Sequence, residues 1–181
     1  MGFLPNDYQK PPNESAYMKL EEGKNRFRVL SDATVGYELW IDRKPIRKVN
    51  SSDFTSEQLG ISDINSYTGK RSVPKHFWAF AVYNYKEKKI MILQIKQKTI
   101  QDSILSLIDD PEWGSPLEYD MEVAKVVEDK KTTYSVVPKP HKPVEEAVKK
   151  EYEGMNIKLQ ALFDGGDPFN SETVNPKDIS F

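Results

Sequence analysis

Residues Lys75–Tyr85, KHFWAFAVYNY, constrain the fold more than any other stretch of the chain. Five of the eleven are aromatic (Phe77, Trp78, Phe80, Tyr83, Tyr85), and neither Gly nor Pro occurs among them. Ala79, Ala81 and Val82 add small or β-branched side chains, which completes the composition of a strand. Rings occupy both alternating sets, Trp78 and Phe80 on one, Phe77, Tyr83 and Tyr85 on the other. A half-buried strand needs rings on one face only. One set therefore fills a core. The other lies under a helix, another sheet, or a flat ligand such as a nucleobase. Alternation alone does not say which set faces inward; hydroxyl-bearing rings tolerate a wet surface better, which favours Trp78 and Phe80 inward and Tyr83 and Tyr85 toward the ligand.

Around this strand the pattern predicts mostly further strands. Asn25–Ser31 alternates Phe27 and Val29 with Arg26 and Arg28, giving one apolar and one basic face. Val35–Ile41 is a second strand, followed by the basic cluster Arg43, Lys44, Arg47 and Lys48. Residues 49–74 read as a long Ser-, Asp- and Gly-rich loop with a short helix near Ser56–Leu59. Loops of that length are either functional or disordered. After the aromatic strand come a charged turn (Lys86–Lys89), a return strand (Ile90–Lys96) and a helix N-capped by Thr99 and running to Asp109. Leu117–Val127 and Lys131–Pro138 form a last hairpin. Residues 144–163 carry helical spacing, weakened at Gly154, and the chain beyond Asp164 is acidic, rich in Gly, Pro and Asn, and expected to be disordered.

The expected fold class is mainly β: the five-stranded Greek-key oligonucleotide-binding (OB) barrel, which carries one helix between strands. Six strand segments are counted, so one is a split strand or an addition. Another small barrel or sandwich with one helix is the alternative. The expected organisation is an arm at 1–14, the barrel at 15–140, a linker and C-terminal helix at 141–163, and a disordered acidic tail at 164–181.

The chain has no cysteine, and its two histidines, His76 and His141, are far apart, so disulfides, thiolate zinc sites and a His-based metal site are not expected. No P-loop, HExxH motif, Gly-rich phosphate turn or cysteine nucleophile occurs. We therefore expect no enzyme, no catalytic residues, no metal and no cofactor. No secretory signal or membrane-length apolar run is found, which points to a cytoplasmic protein without membrane association. The net charge of −2 divides unevenly. Residues 151–181 hold six acids and two bases, a net of −4, which leaves +2 for residues 1–150.

Single-stranded nucleic acid binding needs cations that follow the backbone and rings on which bases stack. The candidate DNA-binding residues are Lys24, Arg26, Arg28, Trp40, Arg43, Lys44, Arg47, Lys48, Lys70, Arg71, Lys75, Trp78, Tyr83 and Tyr85, with Trp113 a further candidate ring.

The runs KLEEGKNRFRVLS (Lys19–Ser31), KHFWAFAVYNY, DPEWGSP (Asp110–Pro116), TTYSVVP and KPHKPV resemble single-stranded DNA-binding proteins of bacteriophages and prophages, over about residues 15–145. Gly23-Lys24-Asn25-Arg26-Phe27-Arg28 is the most distinctive. The resemblance implies an OB fold acting in replication, recombination or repair, on single-stranded DNA, in the host cytoplasm. The C-terminus, Asp178-Ile179-Ser180-Phe181, is similar to the acidic tip of bacterial single-stranded DNA-binding proteins, with Ser180 in place of Pro and Lys177 where an acid is usual. That likeness implies recruitment of replication or recombination proteins through the tip. An OB module that binds protein, and an RNA-binding protein of the same fold, are the alternatives. Homo-oligomerisation is compatible with either.

Overall fold

The computed structural model describes residues 16–169. The arm at 1–14, most of the acidic tail and the tip Asp178–Phe181 lie outside the described residues. The protein is mainly β. Seven strands, β1 (Gly23–Val29), β2 (Thr34–Ile41), β3 (Lys44–Lys48), β4 (Lys75–Asn84), β5 (Lys89–Ile95), β6 (Tyr119–Glu128) and β7 (Lys131–His141), form one open antiparallel sheet. Four α-helices accompany it: α1 (Ser56–Gly60), α2 (Lys98–Asp109), α3 (Glu146–Met155) and α4 (Ala161–Asp164). No helix among the described residues is long and apolar enough to cross a membrane.

The aromatic strand β4 is the centre of this sheet. One edge pairs with β5 from Trp78 to Asn84. The other edge pairs first with β2, over Lys75–Ala79, and then with β1, over Val82–Asn84. Strands β1 and β2 thus act as one bent strand. The bend is held by Leu30 N–H donating to Ala81 O (2.8 Å) and Ala81 N–H donating to Ser31 Oγ (2.9 Å). β1 continues to β6, and β6 to β7. With β1 and β2 counted as one strand, the order β4–β5, helix α2, β6–β7 is the OB wiring. β3 is an addition on the free edge of β2.

The split strand and the addition account for the strand count above five. β3, KPIRK, is polar and carries Pro45, so it lacks the apolar alternation of a strand. An edge position tolerates both properties. The two-residue turn into it, Asp42-Arg43, has positive φ at both residues, the hairpin geometry whose twist matches the strands.

Trp78 and Phe80 do turn inward. They share a core with Phe27, Val29, Val82, Leu93, Ile95, Tyr119, Met121 and Val123. α2 packs on β7 and adds Ile100 and Ile104 to that core. Gln101 Nε2 ties the helix to the sheet by donating to Ile95 O (3.0 Å). Among the described residues no ladder joins β5 to β7, so the helix closes that side by packing. Thr99 is not the N-cap, because α2 begins at Lys98 after Gln97.

The opposite face of β4 carries Phe77, Ala79, Ala81 and Tyr83, with Tyr85 just past the end of the strand. Its middle is covered by the chain's own C-terminal segment. Phe77, Ala79, Ile92 and Leu162 form a second core, with Tyr17, Ile157, Leu159, Phe163 and Phe169 packed against it. The predicted 144–163 helix is two helices. Gly154 lies inside α3, and the break comes at Asn156, whose φ of 48° is left-handed. Packing also runs past Asp164: Lys158 N–H donates to Pro168 O (2.9 Å), and Phe169 meets Tyr17 edge-on at 6.4 Å. Disorder from Asp164 onward therefore does not hold for residues 164–169.

Candidate nucleic-acid interface

Two cation-rich clusters stand on this outer face, one toward each end of β4. Each is built around a buried carboxylate.

At the Tyr85 end, the pairing register sets Tyr83, Arg28 and Asp120 side by side across β4, β1 and β6. Asp120 is fully buried. It accepts from Arg26 Nη2 (2.9 Å) and Nε (3.2 Å) and from Tyr85 Oη (2.9 Å), and Lys142 Nζ lies 3.2 Å away. Arg26 and Lys142 meet Oδ2, while Tyr85 meets Oδ1, from which Arg28 Nη1 sits 3.5 Å away. Burial alone would raise the Asp120 pKa. Hydrogen bonds from Arg26, Tyr85 and Lys142, with the charge of Lys142, outweigh burial and hold it below the usual carboxylate range. Burial, and then the hydrogen bond to Asp120 and its charge, push the Tyr85 hydroxyl well above its ordinary value. The Tyr85 ring has Arg26 at 5.3 Å and Lys142 at 5.7 Å, and Tyr83 meets it edge-on at 5.1 Å. Lys24 extends the cluster through Glu122 (3.9 Å).

At the other end the organiser is Glu38, also buried. It accepts from Arg47 Nε (3.0 Å), Gln94 Nε2 (2.6 Å), Lys96 Nζ (2.8 Å) and Trp40 Nε1 (2.9 Å). Burial opposes ionisation here too. Hydrogen bonds from Lys96 and Gln94, and the charges of Lys96 and Arg47, outweigh it and lower the pKa. Lys96 lies 5.7 Å from the exposed Trp40 ring, and Arg47 lies 5.9 Å from Phe77. Lys75, exposed, is in register with Glu38.

The long loop beside this second cluster is ordered. Asp63 clamps it to the β2–β3 turn by accepting from the backbone N–H groups of Asp42 (2.7 Å) and Arg43 (2.9 Å). Residues 63–72 make a small hairpin, with Ser72 N–H to Asp63 O and Asn65 N–H to Lys70 O. Arg71 Nη1 braces it by donating to Ser62 O (2.6 Å). The hairpin tip presents Tyr67, which is 97% exposed, beside Lys70.

The structure thus gathers Lys24, Arg26, Arg28, Tyr83 and Tyr85 at one end, and Trp40, Arg43, Arg47, Lys70, Arg71 and Lys75 toward the other. Three candidates stand apart. Trp78 packs against the inner core. Lys44 and Lys48 alternate with Pro45 and Arg47 on β3 and lie opposite Ile41 and Tyr37, off the outer face. Trp113 stacks on His141 (5.7 Å) and packs against the core. His76 Nδ1 hydrogen-bonds Gly36 O (2.9 Å). Among the described residues no three His, Cys, Asp or Glu side chains gather as metal ligands would.

Sequence reasoning missed both organising carboxylates, as well as Lys96, Lys142 and Tyr67. An acid within an apolar strand, as in VGYELWI, was the available signal for Glu38. For Tyr67 it was a lone ring in a polar turn, where no apolar period gives it a core role. The chain matches no family model, no curated protein and no solved structure.

Proposed function

We propose that the protein binds single-stranded DNA without strong sequence preference, using both clusters as contact points for one strand. The observation that carries this reading is the cation surplus beside rings on one face. Three cations meet one carboxylate beside Tyr85, and two meet one beside Trp40. Each carboxylate orients its cations and leaves net positive charge for phosphates, while the rings supply stacking surface. Glu38 is level with Lys75 and Asp120 with Tyr83, so the clusters lie about 26 Å apart at the usual rise per strand residue. That span suits the ~4–16 nucleotides held by an OB fold. No catalytic step is assigned. The protein acts in replication, recombination or repair in the cytoplasm of a phage-bearing host, and its C-terminal tip recruits partner proteins.

Fluorescence anisotropy with an oligo-dT strand tests this directly. Binding weakens with salt, log K falling by about 0.7 per phosphate neutralised for each unit of log salt. No binding at low salt overturns the reading. Competition by a matched RNA strand separates DNA from RNA preference. One observation favours a protein-binding alternative: Leu59, Ile61, Ile64 and Val73 are all exposed on the loop. Under that reading Arg26→Ala leaves the main activity intact.

A further inference from the structure

Arg28 is 3% exposed, yet its guanidinium is only partly bonded. Nη2 donates to Leu117 O (2.7 Å). Nη1 has only the ion-pair approach to Asp120, and neither Nε nor Nη1 has a hydrogen-bond acceptor among the described residues. A buried donor left without an acceptor is costly and rare. Two hollows meet at this side chain. One, of about 80 Å³, lies between Arg28, Tyr83, Tyr85 and Val148. The other, an open cleft of about 700 Å³, is edged by Leu117, His141, Lys142 and Lys149. Glu118, Glu145 and Glu146 also border these hollows, and none of them pairs with Arg28.

The roof is the chain from Lys142 through α3. Val148, 7% exposed, is the one buried residue of α3. The segment is bounded by Pro143 before the helix and by left-handed Asn156 after it. We propose that this segment is a hinged cover over a phosphate subsite at Arg28, and that a strand phosphate opens it and takes its place. The proposal rests on the single-stranded DNA reading for its natural ligand. A guanidinium is matched to phosphate oxygens, and Asp120 and Leu117 O hold this one in a fixed orientation. Lys142 and Lys149 add charge at the rim, and opening uncovers Tyr83 beside Tyr85 for the adjoining base. The closed state leaves donors unbonded, and the phosphate-bound state satisfies them. This difference gives the ligand the differential affinity that a population shift requires.

The chain has no cysteine, so Val148→Cys places one thiol under the cover. Its reaction with a thiol reagent is followed in the full-length protein, free, with oligo-dT and with thymidine monophosphate, while anisotropy reports oligo-dT binding in parallel. With the open state at about 10% or less in the free protein, saturating oligo-dT raises the rate about tenfold or more. Arg28→Lys in the same background, with its fold checked by circular dichroism, removes most of that rise. Oligo-dT that binds without changing the thiol rate overturns the cover and leaves the DNA reading standing. A rise with thymidine monophosphate alone, when oligo-dT fails to bind, keeps the subsite and overturns the DNA reading. No change with either ligand overturns the subsite.

Discussion

Asp120 and Tyr85 touch each other but have different consequences when removed. Asp120 is fully buried against the buried Arg28. Asp120→Ala leaves that guanidinium without its counter-charge, and loss of one partner of a buried pair costs about 3–5 kcal/mol. Urea unfolding at neutral pH measures it. Tyr85→Ala instead removes a half-exposed ring. Loss of a stacking platform weakens oligo-dT binding by about 1–3 kcal/mol, and the same holds for Trp40→Ala. Both carboxylates also impose a pH dependence. Their folded pKa values lie below the unfolded ones, which are about 3.9 for Asp and about 4.3 for Glu. Their contribution is complete above the unfolded values and is lost as pH falls through the folded ones. Stability therefore declines from about pH 4 downward, and Glu38→Gln shows a shallower acid decline than the parent. A flat profile in the parent across that range contradicts the assignment.

The C-terminal segment and β2 meet at Gly36. A Cβ there would stand 2.7 Å from Lys48 O and 2.8 Å from Phe163 Cε1, one a backbone atom and the other a ring seated on the second core. Gly36→Ala is expected to cost about 1–3 kcal/mol through overpacking. Phe163→Ala in the same chain recovers part of that loss, because the two changes share one contact, while the Lys48 contact remains. Gly60→Ala, with nothing within 4 Å, is the control and leaves stability unchanged or slightly higher. Thermal unfolding of the four proteins reads the result. At this scale the β4–β5 and β6–β7 hairpins and the helix between them were legible, because each has strong local periodicity or a marked turn. β3 was not, because a five-residue edge strand with a proline needs only a neighbouring backbone to form.

At the scale of the whole molecule, the proposed function predicts that binding and recruitment separate along the chain. Removing Ile179–Phe181, which takes away no charged side chain, is expected to leave oligo-dT affinity unchanged. The same deletion abolishes capture of replication or recombination proteins in a pull-down. If it unfolds the sheet domain instead, the tip reading fails. Local pattern in the sequence was enough to determine the mainly β class, the central aromatic strand with rings on both faces, and the basic face of Arg26 and Arg28. These follow from the two-residue period and from hydrophobic burial, and both act over short stretches. Tertiary structure alone decided what those side chains meet. Asp120 lies 94 residues from Arg26, and Glu38 lies 58 residues from Lys96. Covering the outer face of β4 was likewise a long-range event, made by Leu162 and Phe163. A buried carboxylate is stable only where several donors converge on it, and that convergence exists only once β1, β4 and β6, or β2, β3 and β5, are aligned in register.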